Sequence, residues 1–357
     1  MAPTRVGFLG LSKSGWAPGA HLPYLKSSPD YEIVAVCNSS VQSAQEAIKL
    51  YGLADSTKAY GDPEELAKDK NVDLVVCSVR VDRHLPTISP ALRAGKDVYV
   101  EWPLGKNLTE AKELLRLKNE NGVKNAIVGL QARQAPIVKT IKELVDSGRI
   151  GKVLSSTWTS QAAQGGESTV LGYEYMGQRS VGGNLVTIHF GHAVDYVQYV
   201  LGYGFPTPPK TLLANRRPTI TLLDRGGKVL DANYKKDTDD TIFLHGTLST
   251  GIPLSISLRG GKPFKDLPGL DWRIYGEKGE IHVTAAGPFL QIGYEGMKVE
   301  VFDNGKDVVE SVDFEGKEGF GELGRAARNV AAVYKLVREE AEEEAVAAIV
   351  QFYNKHR

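Results

Sequence analysis

Short apolar runs alternate with amphipathic stretches through the first third of the chain. Arg5–Leu9, Glu32–Cys37, Val72–Val79, Asp97–Val100 and Asn125–Leu130 are short apolar runs of strand length, and the continuous run Val72–Val79 has the pattern of a strand covered on both faces. Between them lie helical spacings. Val41–Tyr51 sets Ala44, Ala47, Ile48 and Tyr51 on one face, Pro86–Ala94 stops at Gly95, and Leu108–Asn121 opens on Thr109-Glu110 and closes at Gly122, a residue suited to ending helices. Strand–helix alternation of this kind predicts a parallel sheet with right-handed crossovers.

The pattern changes after Gln131–Pro136. An amphipathic helix over Pro136–Asp146 ends at Gly148. Then Val153–Ala162, Thr211–Thr221, Thr241–Ser249, Leu254–Arg259, Asp271–Tyr275, Glu280–Thr284 and Met297–Phe302 alternate apolar and polar positions. That alternation predicts an antiparallel sheet with one face solvated or covered by a partner. A helix over Asn184–Leu201 interrupts it. Helices at Leu323–Arg338 and Glu339–Tyr353 close the chain, the acidic run Glu339–Glu344 reading as a solvated helix start.

Composition narrows the function classes. The 43 basic and 43 acidic residues cancel, so no global field attracts nucleic acid. Cys37 and Cys77 lie inside apolar runs and read as buried thiols in a reducing compartment. The N-terminus carries no apolar signal core, and no run approaches the roughly 20 apolar residues of a membrane span. The expectation is a soluble, cytoplasmic protein with no membrane or direct nucleic-acid partner.

The first strand runs into Gly10-Leu11-Ser12-Lys13-Ser14-Gly15-Trp16. A dinucleotide fingerprint, G-x-G-x-x-G, uses its glycines for a tight turn, close approach to pyrophosphate and helix packing. Here Gly10 and Gly15 fill the outer positions and Ser12 the middle one. The expected fold class is therefore α/β: a Rossmann dinucleotide-binding domain over 1–133, then an α+β domain over 134–357 with a large open, mostly antiparallel sheet. Candidate cofactor contacts are Gly10, Leu11, Ser12, Lys13, Gly15 and Trp16; Asn38, Ser39 and Ser40 after the second strand; Ser78, Val79, Arg80 and His84 after the third; Glu101 and Trp102 after the fourth; and Gln131 after the fifth. An acidic residue after the second strand would bond NAD's ribose and repel a 2′-phosphate. Asn38-Ser39-Ser40 is neutral and Lys13 is a nearby cation, so NADP is the expected cofactor, with NAD the alternative.

Several motifs together, spread over nearly the whole chain, resemble the glucose–fructose oxidoreductase/inositol dehydrogenase (Gfo/Idh/MocA) family. They are Gly10–Gly15 with His21-Leu22-Pro23, Val72–Val76 with His84, Ala94–Pro103, Leu144–Gly151, Gly182-Gly183 leading to His192–Asp195, and Ile274–Ile281. The resemblance implies an oxidoreductase transferring hydride between the nicotinamide and a sugar, polyol or related small carbonyl compound. It also implies a homodimer or higher oligomer through the C-terminal sheet, whose alternating strands leave one face needing cover, an apolar patch larger than a monomer usually tolerates. Two departures stand out. The family's Glu-Lys-Pro is Glu101-Trp102-Pro103, and its Asp four residues before His192 is Ile188. The catalytic candidates are then His192, at the family's substrate-facing position, and His189, three residues earlier. Trp102, Arg133 and Tyr175 are the substrate-binding candidates. No third ligand has metal-site spacing to the histidine pair. Gly15-Trp16, Glu101-Trp102, Phe190-Gly191-His192 and Gly260–Pro263 resemble a subgroup that includes the fungal galactose-pathway repressor. That likeness implies the alternative, a non-catalytic dinucleotide-sensing transcriptional regulator.

Overall fold

The computed structural model describes residues 2–13, 15–314 and 319–339. Six parallel strands form the first sheet: β1 (Thr4–Leu9), β2 (Tyr31–Cys37), β3 (Lys58–Tyr60), β4 (Leu74–Cys77), β5 (Asp97–Glu101) and β6 (Ala126–Gly129). Their order is β3-β2-β1-β4-β5-β6. Every residue of β4 is buried, as the apolar run requires. The order reverses between β1 and β4, and in this class of sheet the ligand lies beyond the C-terminal ends of the strands at that switch point. The strand missed by pattern is β3; three residues are too few to show a period. Helix starts follow capping rules: Ser40 Oγ accepts from Ser43 N at 3.1 Å before Val41–Leu50, and Asn107 Oδ1 accepts from Glu110 N at 3.0 Å before Leu108–Glu120.

The chain's contacts divide it differently from the expected 1–133 and 134–357. The first unit holds residues up to Leu130 together with the segment from Gly319, and the second begins at Gln131. The helix Arg325–Glu339 thus completes the first unit. Its stripe Ala327, Val330, Ala331 and Tyr334 is fully buried, in one apolar cluster with Tyr24, Tyr31 and Tyr99. The expected helix over Glu339–Tyr353 lies, beyond its first residue, outside the described residues.

The second unit carries β7 (Val153–Ala162), β8 (Ser168–Val170), β9 (Lys210–Ala214), β10 (Thr219–Leu223), β11 (Val229–Lys235), β12 (Thr241–Thr247), β13 (Pro253–Gly260), β14 (Leu270–Gly276), β15 (Gly279–Ala285), β16 (Lys298–Asp303) and β17 (Val308–Ser311). Eight of these form one sheet, ordered β17-β16-β15-β14-β7-β13-β12-β9, while β11-β10-β8 make a small second one. In the large sheet only β7–β13 is parallel. The single strand expected over Thr211–Thr221 is split between the two sheets. The Asp240 carboxylate accepts from Arg216 N and Arg217 N at 3.0 and 2.8 Å, turning the chain ahead of Pro218.

One face of the large sheet is core. Trp158 and Trp272 are cross-strand partners, both fully buried, and share a cluster with Ile137, Ile141, Tyr196 and Val197 of the helices Pro136–Asp146 and Gly191–Leu201. Trp158 Nε1 donates to Tyr196 Oη at 2.9 Å. The other face is not the apolar patch expected. Its rows include Thr157, Thr159, Ser255, Ser257, Asp271, Arg273, Glu280 and His282, with Leu212, Phe243, Tyr275 and Val309 as large exposed apolar residues. Alternation put a hydroxyl or charge at most outward positions, and such residues stay wetted at little cost.

Within this unit Arg133 and Asp195 form a buried two-point ion pair: Nε to Oδ2 at 3.1 Å and Nη2 to Oδ1 at 2.5 Å, with side chains 8% and 3% exposed. The guanidinium also lies 5.3 Å from the Tyr203 ring centre. Removing one member leaves a buried charge uncompensated, whereas removing both does not. We expect Asp195→Ala to cost the second unit about 3–5 kcal/mol in denaturant unfolding, and Arg133→Met with Asp195→Leu to recover most of it. Equal losses in the single and double variants would contradict this.

Candidate functional site

In the first unit, Gly10 is where β1 and β4 end against each other. Its φ is +94°, and a Cβ there would lie 2.5 Å from Val79 Cγ1 and 2.9 Å from the Ser78 carbonyl. Only glycine suits this turn. Ser12, at the usual middle glycine, is accommodated by Gly15: a Cβ on Gly15 would sit 2.8 Å from Ser12 Oγ. The missing side chain at 15 makes room for the extra one at 12, so the fingerprint survives in altered form. Leu11 is buried, Trp16 half-buried, and Lys13 exposed. Trp16 Nε1 is buried with no hydrogen-bond partner among the described residues.

At the end of β2, Asn38 does a different job from the one expected. Its Nδ2 donates to Leu11 O at 3.1 Å and Ser43 O at 3.0 Å. Both N–H groups are therefore spent bracing the first loop against the next helix, and neither is left for a phosphate. Ser39 and Ser40 are exposed, Ser40 also serving as helix cap.

After β4, Arg80 binds Asp82 through two hydrogen bonds of 2.7 and 2.8 Å. His84 is not the exposed cofactor contact expected. It is 1% exposed, with Nδ1 facing Leu104 O at 3.3 Å and Nε2 facing Val79 O at 3.0 Å. Burial pushes its pKa down, so it ties the loop after β4 to the loop after β5. Glu101 ends β5, with Trp102 half-buried beside it. Glu101 Oε1 lies 2.6 Å from Nε2 of the fully buried His21. Gly129, on the neighbouring strand, leaves the space its carboxylate fills: a Cβ there would be 2.8 Å from Oε2. A glycine turn at the switch point, open hydroxyls after β2 and a carboxylate at the end of β5 fit a dinucleotide.

In the second unit, Gln131 is buried, its Oε1 without a hydrogen-bond partner among the described residues. Arg133 is held by Asp195, so it is not the anion-binding group expected. Tyr175 is half-buried in the short helix Glu174–Gly177. His189 and His192 flank the junction between a π-helical turn, Leu185–Phe190, and the helix Gly191–Leu201. Asn184 caps that turn, accepting from Val186 N and Thr187 N. His189 Nε2 donates to Gln164 Oε1 at 3.3 Å, and its ring packs 4.5 Å from that of Phe289. Burial pushes both imidazoles down to about 3. That burial favours the neutral form of both, which makes each a weak proton donor near pH 7. Burial counts against the expected histidine general acid. Helix spacing located the pair, but it could not reveal how completely the apolar core encloses it. Residues missed by the chemical reading are Tyr334, which carried no motif, and His21, whose only signal was its place in His21-Leu22-Pro23.

No group of three His, Cys, Asp or Glu among the described residues could hold a metal ion, and no helix among them is long and apolar enough to cross a membrane. Residues 4–130 match the oxidoreductase family with an NAD-binding Rossmann fold. Residues 136–285 match the C-terminal domain of Gal80p. Among curated proteins, the galactose/lactose metabolism regulatory protein GAL80 of Kluyveromyces lactis is 31% identical, covering 81% of this chain and 65% of its own length. The dehydrogenase aclE of Aspergillus oryzae is 34% identical, covering 81% and 78%. A crystal structure of a super-repressor mutant of Gal80p from Saccharomyces cerevisiae superposes with a TM-score of 0.85 at 26% identity, covering 95% of this chain and 86% of that one. Fold, fingerprint and relatives agree: the chain belongs to the Gfo/Idh/MocA oxidoreductase family, in which it carries a Gal80p-like C-terminal domain.

Proposed function

We propose that this protein binds a nicotinamide dinucleotide as a signal, without turning it over. The observation that carries this reading is the chemistry of the expected proton donors. The family lysine is Trp102, the family aspartate is Ile188, and His189 and His192 are buried and neutral. Hydride transfer to a carbonyl needs a proton source, and these positions offer none near neutral pH. The 31% identity to the Kluyveromyces regulator points the same way. The second reading, an oxidoreductase acting on a sugar, polyol or related carbonyl compound, is favoured by the 34% identity to a dehydrogenase. A screen of NADPH and NADH oxidation against sugars, ketones and imines separates the two. Tight cofactor binding with background turnover is expected. Turnover well above background, lowered about 100-fold or more by His192→Ala, would establish the enzyme instead.

NADP is the cofactor we propose, at least as tightly bound as NAD. No carboxylate follows β2, and Ser39, Ser40 and Lys13 are exposed near that edge. Ser39→Asp should favour NAD by repelling the 2′-phosphate. Asn38→Asp should instead weaken both cofactors, because a carboxylate cannot donate to the Leu11 and Ser43 carbonyls. Calorimetric titration of each variant with both cofactors is the check, and a switch of preference in Asn38→Asp would contradict the bracing role.

A second copy of the chain is the proposed cover of the large sheet's open face, where Leu212, Phe243 and Tyr275 stand among hydroxyl-bearing rows. Sedimentation should give a dimer or larger species at micromolar concentration. The double variant Phe243→Lys, Leu212→Lys should shift it toward monomer, and a monomer before substitution would end the idea.

A further inference from the structure

Glu101 is held from behind by a chain of groups that begins on the C-terminal helix. Tyr334 is fully buried, and its hydroxyl lies 2.8 Å from His21 Nδ1. His21 is itself fully buried, and its Nε2 lies 2.6 Å from Glu101 Oε1. The Glu101 end sets the direction of the first bond. A carboxylate only accepts, so Nε2–H donates to Glu101. Nδ1 pairs with the Tyr334 hydroxyl, a group able to donate or accept.

Tyr334 has little freedom to leave. Its ring stacks on Tyr24 at 6.1 Å and 17°, meets Tyr31 edge-on at 5.3 Å and lies 5.2 Å from Tyr99. Tyr31 Oη also donates to its carbonyl at 2.8 Å. His21 is boxed edge-on by Phe8 and Tyr99. At the far end, the Glu101 side chain is 13% exposed. Gly129 opens the space beside Oε2, which has no hydrogen-bond partner among the described residues. One carboxylate oxygen is fixed by His21, and the other packs beside Gly129 where β5 and β6 end, at the C-terminal edge of the sheet where a dinucleotide lies in this fold.

We propose that the helix Arg325–Glu339 is a working part of the dinucleotide site, with Tyr334 and His21 as positioning residues that aim the Glu101 carboxylate at the bound nucleotide. Because binding free energies are reciprocal, the nucleotide in turn tightens this helix onto the first unit. The proposal rests on the dinucleotide-binding reading above, and it holds whether or not hydride is transferred.

The test uses the full chain and NADP or NAD as titrant. Tyr334→Phe removes one hydroxyl and keeps the ring. It should weaken dinucleotide binding by about fivefold to tenfold, the scale of one charge-assisted hydrogen bond. His21→Ala should do at least as much, and His21→Gln, whose amide can still donate to Glu101, should recover part of the loss. Tyr31→Phe is the control. It loosens the same helix by deleting the bond to the Tyr334 carbonyl but leaves the relay intact, so affinity should stay within twofold while thermal stability falls. Hydrogen exchange supplies the second readout: cofactor should slow exchange of the 325–339 amides in the unsubstituted protein and not in Tyr334→Phe. If Tyr334→Phe and Tyr31→Phe lose affinity equally, in step with stability, the helix is only structural and the inference is overturned. Unsubstituted protein that binds neither nucleotide overturns the dinucleotide reading and this inference with it. Normal binding that Tyr334→Phe leaves unchanged overturns this inference alone.

Discussion

A parallel sheet presents apolar side chains on both faces, and both must be covered. In the first unit β1 and β4 are buried throughout their C-terminal halves, and the segments that follow β1 give only two short helices, Ala17–Ala20 and Leu22–Ser27. Those helices cannot cover their side alone. The deficit is met by a helix from the far end of the sequence, whose alanines allow close approach and whose Tyr334 fills the space between Tyr24, Tyr31 and Tyr99. Much else follows from that cover. The ring of Tyr334 makes an aromatic box, the box buries His21, and His21 fixes the carboxylate that ends β5.

The same force that stabilises the second unit removes chemistry from it. Desolvation disfavours the charged form of any group it encloses. Arg133 and Asp195 escape that penalty by pairing with each other, which occupies both. Burial favours the neutral form of His189 and His192. Residue types suited to proton transfer or anion binding are present, but their surroundings assign them to packing and hydrogen bonding. An active descendant of this arrangement would need to reopen solvent access to one imidazole or restore a carboxylate beside it.

The fold was legible where periodicity was strong. The alternating runs from Arg5 to Leu130 announced the parallel sheet, and the dyad patterns from Val153 to Phe302 announced the large one. Brief or exposed elements were not: β3 has three residues, and β11 is almost wholly solvent-facing, so neither imposes an apolar period. The helix Arg325–Glu339 was recognised as amphipathic, yet an apolar stripe does not name the surface it will meet. At the site, Gly10 and Gly15 were readable because a backbone conformation excludes other residues. Asn38 was misread because a side chain's type reports its donors but not which carbonyls fold back to take them.

The return of the last helix has a consequence in time. Tyr31 and Tyr334 meet across 303 positions and His21 and Tyr334 across 313, so the first unit cannot be finished when its own six strands have emerged from a ribosome. It must wait through synthesis of the whole second unit with one aromatic face of its sheet uncovered, a surface prone to non-native association. Every premature stop before Arg325 leaves that face permanently exposed, and such fragments would be substrates for chaperones and proteases, not partially functional nucleotide binders.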